Sequence, residues 1–176
     1  MSRSMVAMLL ACTVVACDGT STPTSPMRAT GASVASARQF LQATGAGSFA
    51  NAFTRGSFEI SAHSDLDGSN PHGNAGIMAE QEYPFPNYSA RGPVTCLAVA
   101  GKRAAIGIKV AAGDVGGTDV TGQGIILIVE DKGAPGQGTP DEMTNTGFYP
   151  NGDQLDCWSV LFQPSLPVTD GNVVVK

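Results

Sequence analysis

Between Gly56 and His63 the chain alternates: Phe58, Ile60 and Ala62 are apolar, while Ser57, Glu59, Ser61 and His63 are polar. A period of two places these sets on opposite faces of a strand, one buried and one wet. Leu41 to Ala50, with Phe49 and Phe53 lying just ahead of the alternating stretch, predicts a first strand paired to it as a hairpin. Ser36 to Ala43 also offers a short helical turn around Phe40 and Leu41 before a Gly-rich segment. Ala75 to Glu80, centred on Ile77 and Met78, reads as a less regular strand. Val94 to Val99 and Arg103 to Val110 flank Ala100-Gly101-Lys102, the spacing of a tight hairpin turn. Ile125 to Val129 is an unbroken aliphatic run, as expected of a central strand covered on both faces. Cys157 to Phe162 sets Trp158, Val160 and Phe162 on one side, and Val173 to Val175 ends the chain.

These are seven or eight short strands separated by Gly, Pro, Asn and Asp clusters, with no long helix. The pattern predicts an all-β fold, either an antiparallel β-sandwich or a small closed β-barrel. Periodicity does not separate the two. The 22 Gly and 11 Pro among 176 residues agree with strands joined by turns. No internal repeat is present, so residues 39–176 read as a single β-domain. A net charge of −5 lacks the field that draws in a phosphate backbone, which argues against nucleic acid as a partner.

The first residues follow a different logic. Arg3 supplies a short positive segment, and Met5 to Ala16 is an uncharged, mostly apolar run ending in Val14, Val15 and Ala16 before Cys17. Twelve helical residues make roughly 18 Å, against about 30 Å of bilayer hydrocarbon. Residues 1–16 therefore read as a removable export signal and not a span. The VVAC string resembles the lipobox of bacterial lipoproteins. That resemblance implies cleavage between Ala16 and Cys17, acyl chains on Cys17, and a lipid-anchored, extracytoplasmic protein; an ordinary secretory signal that happens to contain Cys17 is the alternative. Acyl burial contributes about 0.8 kcal/mol per methylene, and more than one chain makes attachment stable. No later segment reaches 18 consecutive apolar residues, so no second anchor is expected. Asp18 follows the cysteine, and under enteric-type sorting an aspartate there retains a lipoprotein at the inner membrane. Residues 17–38, rich in Thr, Ser, Ala, Gly and Pro, bury too little to offset their ordering entropy and read as a tether.

Cysteine usage follows from export. Cys12 leaves with the signal, Cys17 carries lipid, and Cys96 and Cys157 meet an oxidising compartment, where a disulfide is the economical assignment. A zinc site would need four ligands, and His63 and His72 have no recognised metal spacing.

GPVTCLAVAGKRAA at Gly92 to Ala105, GQGIILIVEDKGAPGQGTPDEM at Gly122 to Met143 and the closing DGNVVVK together resemble an uncharacterised family of bacterial exported β-domains, often lipoproteins. The match covers roughly Gly45 to Lys176. It implies a β-rich exported domain and carries over no catalytic residue. Lys102 stands where that family has Asn after the turn glycine, and Lys tolerates positive φ less readily.

Motifs for chemistry are sparse. G-x-S-x-G, H-E-x-x-H, a P-loop and G-x-G-x-x-G are absent. A triad through His63 and Asp65 is arithmetically available, but no elbow presents a serine. Asp65 to Asn70 begins like a calcium loop, yet its glycine falls at position four and Gly76 occupies position twelve, so it reads as a polar turn. The segment from Glu130 to Asp156 gathers Glu130, Asp131, Asp141, Glu142, Asp153 and Asp156 with Lys132 opposing them. Two readings stand, a solvated loop whose aspartates brace turns and a calcium site built from hard oxygen ligands. Tyr83, Phe85 and Tyr88 lie among Pro84, Pro86 and Pro93, and with Phe148, Tyr149 and Trp158 either cap a sheet core or offer a stacking surface for a carbohydrate or protein ligand. The expected function is a non-catalytic β-domain that binds or builds in the cell envelope. A small extracytoplasmic hydrolase with an unadvertised active site is the alternative, and a scaffold whose exposed edge at Val173 to Val175 pairs with a partner strand is a third.

Overall fold

The computed structural model describes residues 39–176 except Pro135 and Gln137; the expected export signal, Cys12, Cys17 and the expected tether to Arg38 lie outside the described residues. The described residues are all-β and antiparallel. Ten strands run in chain order: β1 (Phe40–Ala50), β2 (Thr54–Asp65), β3 (His72–Gln81), β4 (Tyr88–Ala100), β5 (Arg103–Lys109), β6 (Ala112–Val115), β7 (Thr118–Asp119), β8 (Gly124–Glu130), β9 (Glu142–Asn145) and β10 (Leu166–Val175). They form one sheet in the order β3-β2-β1-β10-β9-β8-β5-β4-β6-β7, and β3 also pairs with β4. That extra pairing joins eight strands into a ring, with β6 and β7 projecting as a hairpin.

The alternating stretch lies in β2 as expected. Phe58, Ile60 and Ala62 point into the ring, where they meet Ile77, Leu97, Ile106, Leu127 and Val173 in one apolar core. Strand β8 is covered on both faces. Ile125, Leu127 and Val129 belong to the ring interior, while Ile126 and Ile128 pack outward under Leu155, Val160 and Leu161. Burying such a run on both sides removes about 1.5–3 kcal/mol of unfavourable hydration per large side chain.

The turn between β4 and β5 consists of Gly101 and Lys102, with Ala100 opposite Arg103. Only Gly101 takes positive φ, at 63°. Glycine at the first central position is what a II′-type hairpin requires, and it leaves Lys102 in an ordinary conformation. The lysine therefore sits in the turn without strain.

Several expectations are corrected. Residues 40–43 begin β1 and form no helical turn. Cys157 to Phe162 is not a strand: Asp156 Oδ1 accepts the N–H groups of Trp158 and Ser159, and this local capping closes a turn. Val173 to Val175 is not an exposed edge, because it is the end of β10, whose residues pair with β1 from Ala43 opposite Val175 onward. Val173 and Val175 are buried. The scaffold reading that needed them free falls with that. Strand β4 starts six residues before the expected Val94, running between β3 and β6 before turning onto β5.

Cys96 and Cys157 are bonded, with Cα atoms 6.0 Å apart and a sequence separation of 61. The bond clips the turn at 157 to the outer face of β4. Gly107 sits opposite Cys96, and a Cβ there would lie 2.5 Å from the Cys96 sulfur. Joining positions 61 residues apart restricts the unfolded chain by about 4 kcal/mol in the loop-entropy treatment. Replacing both cysteines by serine is therefore expected to lower unfolding free energy by roughly that amount, as read from urea titrations; an unchanged midpoint would refute the assignment.

Candidate functional site

The acidic segment is where sequence reasoning placed its candidate ligands, and the structure distributes them. Glu130 Oε1 lies 3.1 Å from Arg103 Nη2, Asp131 Oδ2 lies 3.1 Å from Lys102 Nζ, Glu142 Oε1 lies 2.8 Å from Lys132 Nζ, and Asp153 Oδ2 lies 2.6 Å from Lys109 Nζ. Asp156 caps the turn at Trp158. Four of the six carboxylates thus have a cation each, where the sequence pointed to Lys132 alone. Among the described residues no group of three or more His, Cys, Asp or Glu could hold a metal ion.

Asp131 and Asp141 are buried and do structural work. Strands β9 and β10 share only two residue pairs, Leu166 with Met143 and Pro167 with Glu142. Beyond them the N–H groups of Val173 and Val175 would face away from β1 without a strand to receive them. Asp141 Oδ2 accepts from Val173 N at 2.7 Å, and Asp131 Oδ2 accepts from Val175 N at 3.3 Å. The other oxygens are also used: Asp141 Oδ1 accepts from Lys132 N and Asp131 Oδ1 from Gly133 N. Carboxylates here replace the carbonyls of a missing strand. Lys102, at the second position of the β4–β5 turn, supplies the charge that holds Asp131.

Of the aromatics singled out, Trp158 stands exposed on the turn that Asp156 caps, and the others divide into two groups. Tyr88 is buried, donates from its hydroxyl to Asn145 Oδ1 at 2.7 Å and meets Phe148 edge-on at 6.0 Å. Burial pushes its phenol up to about 12, against the opposing pull of the Asn145 bond. Tyr149 packs on the outer cluster beside Ile126. These three cap hydrophobic surface. Tyr83 and Phe85 are 96% and 66% exposed, and Phe53, on the adjacent turn, is 68% exposed. The turns are linked through backbone, since Glu82 N donates to Phe53 O, and Phe85 N donates to Glu82 O. The Tyr83–Pro84 peptide is cis. Beside them Arg55 Nη2 pairs with Glu80 Oε2 at 2.7 Å, and Asn87 Oδ1 accepts from Gln81 N.

These turns surround one end of the ring. An open cleft of about 390 Å³ lies at that mouth, between Thr54, Tyr88, Asn145 and Phe148, and a second of about 440 Å³ runs along Phe53, Arg55, Glu80 and Glu82. A broader trough of about 570 Å³ crosses the outer faces of β2, β3, β4 and β6, with Glu59, Met78, Arg91 and Asp114 on its sides and Gly76 in its floor. The ring interior itself is filled by side chains.

The triad available on paper does not assemble. Asp65 Oδ2 accepts from Asn70 Nδ2 at 2.5 Å and from Ser69 Oγ at 3.4 Å, while the ring neighbours of His63 are Phe40 and His72.

The seam predicts an acid-labile fold. Burial pushes the Asp131 carboxyl up, but hydrogen bonds from Lys102 and Val175 outweigh it and hold it below its ordinary 3.8; the Lys132 hydrogen bond holds Glu142 below 4.5. A carboxyl lowered in the folded state stabilises above its unfolded value, and that contribution disappears as pH falls through the folded one. Stability is expected to decline below about pH 4, and Asp131→Asn to flatten that decline in pH-dependent melting. Asp141→Ala leaves buried donors unmet and is expected to cost about 1–3 kcal/mol for each, measured by urea titration. No protein-family model, no curated protein and no solved structure matches the chain.

Proposed function

We propose that this chain is a lipid-anchored envelope protein whose β-domain binds a glycan chain through the aromatic rim at one end of the ring. The observation that carries the reading is the exposure of Phe53, Tyr83 and Phe85 on two hydrogen-bonded turns. Large rings left in water cost hydration free energy, and aromatic faces recover it by stacking on the apolar face of a sugar. Glu80, Glu82 and Asn87 line the cleft beside Phe53 and give it polar oxygens. The two glutamates and a net charge of −5 favour a neutral or cationic chain over a polyanion.

Polarity along β1 supports the same reading. Strand β1 enters at Phe40 and reaches the rim turn at Asn51, eleven residue steps or about 36 Å later. In this reading the chain from Cys17 enters the domain at the Phe40 end of β1, and the rim turn follows that strand's other end. A peptide partner on the same rings is the second reading, favoured by the open trough next to Met78.

Two experiments test it. The triple variant F53A/Y83A/F85A, which removes only exposed rings, is expected to melt with the parent protein yet lose co-sedimentation with purified peptidoglycan by more than about tenfold. Equal sedimentation of the variant, or none by the parent, refutes the glycan reading. Cys17→Ala is expected to move the protein from the membrane pellet to the soluble fraction and abolish labelled fatty-acid incorporation.

A further inference from the structure

His63 and His72 are the chain's two histidines. Eight residues separate them in sequence, yet the turn at Leu66 to Pro71 sets them directly opposite on β2 and β3. Both lie on the outer face: their strand neighbours Ala62 and Ala75 point inward to the core, whereas His63 is half-buried and His72 exposed. The two imidazoles face one another, with ring centroids 5.5 Å apart and planes 25° from parallel. Phe40 meets the His63 ring edge-on at 5.9 Å, on the side away from His72.

The protonation pattern of His72 follows from its partner. His72 Nδ1 lies 2.9 Å from the Asn70 carbonyl oxygen. A carbonyl only accepts, so in the neutral ring the hydrogen sits on Nδ1 and the lone pair on Nε2. Asn70 is itself held, at a φ of 51°, by its side-chain amide donating to Asp65 Oδ2. A carboxylate thus fixes an amide, whose backbone carbonyl fixes an imidazole through Nδ1 and leaves Nε2 as its other ring nitrogen. Metal-binding histidines are oriented by this kind of outer hydrogen bond.

We propose that His63 and His72 form a two-imidazole site for a late first-row divalent transition ion. Neutral imidazole is a borderline-soft ligand, which selects Cu²⁺, Ni²⁺ and Zn²⁺ over Ca²⁺ and Mg²⁺; among the three, Cu²⁺ binds most tightly. Two protein ligands leave the remaining positions to water, so the ion is exchangeable and plays no part in folding. The site is independent of the aromatic rim, which occupies the other end of the same strands. It is also distinct from the acidic segment, whose oxygens suit a harder cation.

Untagged protein titrated with CuCl₂ alone provides the test, since all imidazole signals in the spectrum come from these two residues. The expected result is selective broadening of both histidine ring resonances at substoichiometric Cu²⁺ and two-nitrogen hyperfine structure in the electron paramagnetic resonance spectrum. His63→Gln and His72→Gln each remove one ligand from a surface position and are expected to weaken Cu²⁺ binding by more than about tenfold with no change in melting temperature. Asp65→Asn, which loosens the outer support, is expected to weaken it less. Unchanged affinity in either glutamine variant, or loss in only one of them, overturns the proposal. Loss of peptidoglycan binding leaves this result untouched, so the two readings fail separately.

Discussion

Closing a sheet on itself leaves no edge, provided that every strand finds two neighbours. Here one junction is short: β9 and β10 share only two residue pairs. The buried N–H groups of Val173 and Val175 then need acceptors, because an unmet buried donor costs about 1–3 kcal/mol. Asp141 and Asp131 provide them from the loop after β8. A carboxylate is costly to bury alone, and each of these has company: Asp131 has Lys102 Nζ and the Gly133 N–H, while Asp141 has the Lys132 N–H. The ring, its filled interior and the placing of both ends of the sheet all depend on this junction holding.

The same junction explains why Lys102 is tolerated at a tight turn. Gly101 alone takes the left-handed conformation, so the second turn position is free to carry a long side chain. Lys102 uses that freedom to reach Asp131, 29 residues on. The β4–β5 turn and the neighbouring loop after β8, already joined by the Asp131 N–H donating to the Lys102 carbonyl, are thereby tied to the end of β10 through a single carboxylate. Opposite this, the disulfide ties Cys157 to β4 and covers Ile126 and Ile128, giving the sheet a small second core outside the ring.

Much of the fold was legible because strands announce themselves by period. Phe58, Ile60 and Ala62 alternate and are buried as alternation requires; Ile125 to Val129 does not alternate and is buried on both faces. The pairing of Cys96 with Cys157 followed from export and elimination. The failures were of two physical kinds. Trp158, Val160 and Phe162 mimic a strand period, but Asp156 immediately upstream captures two N–H groups and bends the chain before any ladder forms. In β4, Arg91-Gly92-Pro93 looks like a break, yet Gly92 is there because a Cβ would come within 1.9 Å of Lys109 O, and Pro93 pairs opposite Asn74 without interrupting the strand. Roles that depend on long-range partners were not legible at all. Nothing local to Asp141 reveals Val173, and the interval between His63 and His72 matches no local motif until β2 and β3 are in register.

That register also decides how the two ends of the sheet relate. Strands β1, β2 and β3 run side by side between them, with Phe40, His63 and His72 near one end and Phe53 and Gln81 near the other. Between the ends the inward side chains form one continuous packed core. Coupling between distant sites requires an element with two discrete arrangements that both sites bias. Paired strands over a filled interior supply a single arrangement, and one-residue slippage would turn Phe58, Ile60 and Ala62 outward at a cost of several kcal/mol. The sheet therefore behaves as a spacer: occupation of one end leaves the other unchanged, and substitutions at the two ends add.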